Sequence, residues 1–291
     1  MTISYLPYLQ LMRLDRPVGT LLLLWPTLAA LWLAAEDWPP LHLVIVFAFG
    51  TLFMRTAGCV INDIADRRLD RHVARTAKRP LTVGRIPLSH ALGIFAALVL
   101  ASALLLLALN SMTRWLAVAG IVIAALYPFM KRWTYLPQVV LGAAFSWGLL
   151  MAYAAVRNDL PPAAWLLFIA SLLWIVAYDT MYAMVDRDDD LKVGIRSTAI
   201  LFGTADRLMI GLLQCAALVT LLMMATQQEY RGFFQTGIAV TAGLFVYQQY
   251  LIRGRSKDGC FKAFLNNVWV GFALFLGSVA EFAVPAAQQA I

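Results

Sequence analysis

Two acidic runs interrupt a chain that otherwise avoids charge. The first reads Asn62-Asp63-Ile64-Ala65-Asp66-Arg67-Arg68-Leu69-Asp70. Asn62, Asp66 and Asp70 recur every fourth residue, so on a helix they share one face. The second reads Asp179-Thr180-Met181-Tyr182-Ala183-Met184-Val185-Asp186-Arg187-Asp188-Asp189-Asp190. Here Asp179, Tyr182, Asp186 and Asp190 fall at i, i+3, i+7 and i+11, again one face. Like charges at such spacings repel and destabilise a bare helix. A divalent cation removes that penalty, and Mg²⁺ suits the donors: it is hard, prefers oxygen, and takes one or two carboxylates plus water and phosphate oxygens. Two such faces on one side of a membrane fit a pair of metal ions clamping a diphosphate, which bare carboxylates would repel. Taken singly, the first run also reads as a solvated loop whose acids pair with Arg67, Arg68 and Arg71. The second also reads as an acidic membrane edge.

Basic residues lie close to both runs. Arg75, Lys78 and Arg79 follow the first, Lys192 and Arg196 follow the second, and Lys131 and Arg132 stand together between them. They are candidates for holding diphosphate, and each also reads as an anchor of an inward-facing loop. Arg55 differs, because it lies inside an apolar stretch, seven residues before Asn62 and eleven before Asp66. On a helix it shares the motif's face, one to two turns deeper. A cation within a span needs an anionic partner and usually marks a site, and a guanidinium fork matches carboxylate or phosphate. A structural salt bridge is the alternative. Tyr127, Tyr153 and Tyr182 could line a pocket and steady a cation through their π faces. His42, His72 and His90 are scattered, and Cys59, Cys215 and Cys260 show no metal-ligand spacing. No Ser–His–Asp arrangement stands out.

The elements that carry these residues follow from composition. Of 291 residues, 62% are hydrophobic and 13% charged, with a mean hydropathy of +0.74. Soluble domains carry about 25% charged residues. Backbone polar groups cannot go unpaired in lipid, so continuous apolar runs of this length imply spanning helices. The sequence predicts one all-α domain over residues 1–291, with nine spans near 18–35, 42–62, 90–109, 114–130, 136–156, 163–182, 208–226, 233–252 and 267–284. Pro, Asn and Asp mark the connections at 37–40, 110–111 and 158–162. Residues 18–34 follow Arg13 and Arg16 but read as a retained first helix, not a signal peptide, since the apolar run is long and further spans follow.

With the N-terminus inside, nineteen of the 23 Lys and Arg fall in inward loops, three (Arg114, Arg157, Arg231) fall outside, and Arg55 lies in a span. That asymmetry sets N-in, C-out, and it explains the net charge of +7 without a nucleic-acid partner. It also puts both acidic runs on the same side, although four spans separate them.

Four stretches carry a family resemblance: RLDRPVGTLLLLWPT (13–27), GCVINDIADRRLDRHVARTAKRP (58–80), YPFMKRWTYLPQVVLGAAFSWG (127–148) and AYDTMYAMVDRDDDLKVGIRSTAILFG (177–203). The chain resembles the 4-hydroxybenzoate polyprenyltransferases of ubiquinone biosynthesis, within the UbiA-type intramembrane prenyltransferases. The resemblance implies nine helices around a central cavity, with the aspartates at its cytoplasmic mouth. It implies Mg²⁺ held by Asn62 and Asp66 on one side and by Asp186 and Asp190 on the other, with Asp63 and Asp70 assisting. The expected reaction is transfer of the prenyl group of a polyprenyl diphosphate to the ring carbon ortho to the hydroxyl of 4-hydroxybenzoate. Asp66, Asp186, Asp190 and Arg132 are expected to serve catalysis. Arg75, Lys78, Arg79, Lys131, Arg132 and Lys192 would hold diphosphate, and Arg55, Asp63, Asp179 and Tyr182 the aromatic acid. Arg132, Arg13 and Asp15 are further candidates near the carboxylate. The expected setting is a bacterial or mitochondrial inner membrane, with the site facing cytoplasm or matrix and no obligatory protein partner. The same chemistry on a naphthoate, homogentisate or haem acceptor is the alternative. A transporter is disfavoured because its coupling acids would lie near the midplane, not at one edge.

Overall fold

The computed structural model describes residues 5–67, 71, 76–230 and 232–283, and among them there is no strand. The helices are α1 (Leu6–Leu11), α2 (Val18–Ala35), α3 (Leu41–Ala65), α4 (Leu88–Leu106), α5 (Ser111–Trp133), α6 (Pro137–Arg157), α7 (Pro162–Val193), α8 (Thr198–Phe202), α9 (Asp206–Gln227), α10 (Phe233–Leu251) and α11 (Lys257–Ala283). Local chemistry sets their ends. Asn110 caps α5 by accepting from the Thr113 N–H at 2.9 Å. Pro137 and Pro162 open α6 and α7, where a missing N–H costs nothing. Gly194, at φ 71°, ends α7 in the left-handed conformation.

Among the described residues, eight stretches are long and apolar enough to cross a membrane, α8 and α9 counting as one. The predicted ninth, α10, has the length but carries Gln235, Gln248 and Gln249. Two of these glutamines are used inside the fold. Gln249 Nε2 donates to Gln214 Oε1 at 2.9 Å, Gln214 Nε2 donates to Gln248 Oε1 at 2.8 Å, and Gln248 Nε2 donates to Asn266 Oδ1 at 2.9 Å. This amide chain ties α9, α10 and α11, a use of polar side chains favoured between helices in lipid.

The chain forms two compact units. One comprises Met1–Leu24 and Ile45–Leu109, the other Trp25–Val44 and Asn110–Ile291. The first packs Leu11, Val60, Leu81, Ile86 and Ala91 against Tyr8, Met12 and Ile64, so α1, the end of α3 and the 81–86 segment share a core. In the second, Ala177, Met181, Met184, Ile210, Cys260 and Ala263 bury the end of α7 against α9 and α11.

Helix α7 is longer than its predicted span. Its 32 residues extend about 48 Å, against a hydrocarbon core of about 30 Å. The whole second acidic run is therefore helical, on turns that continue beyond the apolar part of the helix.

Candidate active site

In the first unit, α3 carries Arg55, Asn62 and Asp63, and Asp66 follows its last residue. The Asp66 N–H still donates to the Asn62 carbonyl at 2.9 Å, so the two are one helical turn apart on one face. Both are half-buried. Asp63 points elsewhere. It is 2% exposed, and its carboxylate takes two hydrogen bonds from the Arg13 Nη2, at 2.9 and 3.0 Å, and one from the Arg79 Nη1 at 2.9 Å. Arg13 and Arg79, candidates for carboxylate and diphosphate respectively, are thus joined through Asp63, which pins the α1–α2 connection and the 76–85 segment to α3. Asp15 pairs loosely with Arg16 at 3.8 Å. Lys78 is exposed. Asp70 and Arg75 lie outside the described residues.

Arg55 is half-buried, one to two turns before Asn62. Its Nη1 donates to the Cys59 sulfur, and its Nε is buried with no hydrogen-bond partner. Among the described residues it has no carboxylate partner, so the salt-bridge alternative finds no support there. Gly19 makes room for it: a Cβ at position 19 would collide with the guanidinium. Sequence reasoning missed Gly19, although it lies within the first of the four family-like stretches.

In the second unit, α7 sorts its acids by face. Asp188 is exposed and pairs with Lys257 at 3.3 Å, and Asp189 pairs with Lys192 at 3.3 Å. Lys192, a diphosphate candidate, is largely solvated. Asp186 and Asp190, one turn apart, are half-buried on another face, with Asp179 half-buried further back along the helix. Tyr182 packs its ring on Phe264, with centroids 4.7 Å apart, and near Phe261 at 6.4 Å. Tyr153 is different. It is 1% exposed, in the last turns of α6 near the Arg157–Glu36 ion pair, away from the Gln138 end that meets the 197–198 segment. Tyr153 thus lies towards the end of α6 remote from Gln138.

Arg196 joins the end of α5, with Lys131 and Arg132, to the segment that follows the second motif. The Arg196 N–H donates to the Lys131 carbonyl at 3.1 Å, and its Nη1 donates to the Trp133 carbonyl at 2.8 Å. The guanidinium also lies 5.2 Å over the Tyr135 ring. The segment after α7 thereby grips the C-terminal end of α5, where two cations also suit the helix dipole. Arg132 is exposed and has no ion-pair partner among the described residues.

The donor set at both motifs is amide and carboxylate oxygen only. Among the described residues, no three Asp, Glu, His or Cys side chains gather into a cage. Two oxygens per helix face, with nearby cations, fit Mg²⁺, which keeps part of its shell for phosphate oxygens and water. Sulfur- or imidazole-preferring metals fit poorly.

The long apolar helices define an integral membrane protein. The chain belongs to the UbiA prenyltransferase family, whose model matches residues 23–278, and it is an integral membrane protein. It is 58% identical over 272 residues to a 4-hydroxybenzoate octaprenyltransferase from Aliivibrio fischeri, covering 94% of this chain and 95% of that protein. Among solved structures it resembles the apo UbiA homolog from Aeropyrum pernix K1, with a TM-score of 0.78 and 26% identity over 88% of this chain and 96% of that one. It also shares its fold with a UbiA homolog from Archaeoglobus fulgidus bound to GPP and Mg²⁺, with a TM-score of 0.68 and 17% identity over 94% of this chain and 99% of that one.

Proposed function

We propose that this chain transfers a polyprenyl group from a polyprenyl diphosphate to the ring carbon ortho to the hydroxyl of 4-hydroxybenzoate, a step of ubiquinone biosynthesis. The observation that carries the reading is Arg55: a half-buried guanidinium in a membrane helix, without a carboxylate partner among the described residues, one to two turns from Asn62. An aromatic acid supplies the missing anion. The identity to 4-hydroxybenzoate octaprenyltransferases supports both acceptor and donor.

Asn62 with Asp66, and Asp186 with Asp190, would each hold Mg²⁺. Mg²⁺ held by these side chains would supply positive charge for the diphosphate leaving group. Lys131 and Arg132, held by Arg196, add positive charge for the leaving diphosphate. Arg55 orients the benzoate so that the carbon beside the hydroxyl, the electron-rich ring position, meets the allylic cation. Low water access would protect that cation from hydrolysis. Loss of the ring proton at the alkylated carbon restores aromaticity. The excess of Lys and Arg in the inward loops supports a site facing the cytoplasm or matrix, in a bacterial or mitochondrial inner membrane.

The test is a membrane assay with radiolabelled 4-hydroxybenzoate, a polyprenyl diphosphate and Mg²⁺, with EDTA as control. Mg²⁺-dependent label in a lipid-extractable product is expected. Diphosphate release without labelled product would point to another acceptor, and no reaction in well-inserted protein would overturn the reading.

A further inference from the structure

We propose that Asp206 is a positioning residue for the second acidic motif, acting through Arg187 to fix which face of α7 presents Asp186 and Asp190. The proposal rests on the metal-binding reading of that motif.

Asp206 opens α9 and is wholly buried. Its carboxylate accepts from Arg187 Nη2 at 2.6 Å, from Arg255 Nε at 2.9 and 3.1 Å, and from the Arg207 N–H at 2.7 Å. The same guanidiniums reach neighbouring carbonyls, Arg187 that of Gly203 at 3.4 Å and Arg255 that of Thr204 at 2.7 Å. One buried carboxylate thus ties together the projecting end of α7, the turn before α9 and the α10–α11 connection.

Arg187 lies in sequence between the two candidate ligands. At about 100° per residue, its side chain leaves the helix roughly 80° from the mean direction of Asp186 and Asp190. A tether there sets the rotation of the turns that carry them. Another link on these turns, Asp188 to Lys257, joins two exposed side chains at 3.3 Å, and such pairs contribute little. The Arg187–Asp206 tether has a buried end. Partners that orient metal ligands typically change metal affinity by about 10–100-fold when removed.

Two guanidiniums share Asp206, and only one belongs to α7. This separates positioning from general stabilisation. Arg187→Met and Arg255→Met each leave Asp206 one guanidinium and the Arg207 N–H, so each spares the carboxylate from burial without a cation. Purified full-length variants are titrated with Mn²⁺ in the presence of inorganic diphosphate, and bound metal is read by electron paramagnetic resonance. Arg187→Met is expected to weaken Mn²⁺ binding about tenfold, Arg255→Met to leave it within about twofold, and Arg187→Lys to fall between. The sign is informative, because removing a positive charge beside a cation site by itself tightens Mn²⁺.

Mn²⁺ binding by Arg187→Met as tight as wild type, or equal weakening in both Met variants, overturns the proposal. If Arg187→Met does not insert, Arg187→Lys against Arg255→Met decides it: weaker binding in the former supports positioning, and equality overturns it. A wild-type protein that binds no Mn²⁺ with diphosphate overturns the metal reading, and this proposal with it. Wild-type binding with an unaffected Arg187→Met removes the positioning role alone.

Discussion

The guanidinium of Arg55 occupies the space where a side chain at Gly19 would begin. Helix α2 therefore leaves a residue-sized gap for a cation that α3 supplies, and that cation has no carboxylate partner among the described residues. Gly19→Ala must push the guanidinium aside. It is expected to raise KM for the aromatic acid about tenfold while leaving KM for the prenyl donor nearly unchanged. Arg55→Ala removes a charged hydrogen-bond donor, about 2 kcal/mol, or roughly thirtyfold in the same KM. Equal effects on both substrates, in steady-state assays varying each in turn, would remove Arg55 from the carboxylate.

Asp63 and Asp186 belong to neighbouring-looking motifs but are expected to fail differently. Asp63 is 2% exposed between Arg13 and Arg79. Asp63→Asn weakens a buried pair of ion bridges, and breaking such a pair costs about 3–5 kcal/mol. Less inserted protein and a lower thermal midpoint in detergent are expected. Asp186→Asn keeps the helix and its packing, so insertion and midpoint stay near wild type while turnover disappears. Near-normal turnover in Asp186→Asn would sink the metal assignment.

The contrast shows what a sequence can and cannot reveal. Helix positions were legible because burial in lipid demands long apolar runs, and Asn110 and Pro161–Pro162 mark connections by local chemistry, whereas the run of α7 on to Val193 lies in polar sequence that hydropathy does not flag. The shared faces of Asn62 with Asp66, and of Asp186 with Asp190, were legible because i, i+4 spacing is a property of any helix. The partners of Asp63, the gap at Gly19 and the clamp on Asp206 depend on segments distant in sequence, which no local period encodes. Arg13 is fifty residues from Asp63, and Arg255 is forty-nine from Asp206. The polar face of α10 could be read only once Gln214 and Asn266 were found opposite it.

Metal removal gives a sharper test than activity alone. Mg²⁺ takes one or two carboxylates and keeps the rest of its shell for water and phosphate, so most of its affinity here is expected to come from shared phosphate oxygens. Mg²⁺ should therefore raise the thermal midpoint of the purified protein strongly when inorganic diphosphate is present and weakly when it is absent. EDTA should reverse the shift. A large shift by Mg²⁺ without diphosphate would indicate a protein cage that the donors at these two motifs do not provide.

Helices α10 and α11 offer a test of packing that leaves the chemistry untouched. A Cβ at Gly237 would lie 2.9 Å from the Ala273 carbonyl oxygen, and one at Gly277 would lie 3.0 Å from that of Phe233. Both obstacles are backbone, which cannot swing away as a side chain can. Gly243 is on the same helix as Gly237, and a Cβ there meets nothing within 4 Å. Overpacking costs about 1–3 kcal/mol, whereas Gly→Ala in an unobstructed helix contributes about 0.5–1 kcal/mol of stability. Gly237→Ala and Gly277→Ala are expected to lower the thermal midpoint, and Gly243→Ala to hold or raise it. Because the contact is one helix against another, the double variant Gly237→Ala/Gly277→Ala should cost less than the sum of the singles: once the helices have separated for the first methyl, part of the space for the second is already open. Full additivity, or a fall in midpoint for Gly243→Ala as large as for Gly237→Ala, would contradict the close approach of these two helices.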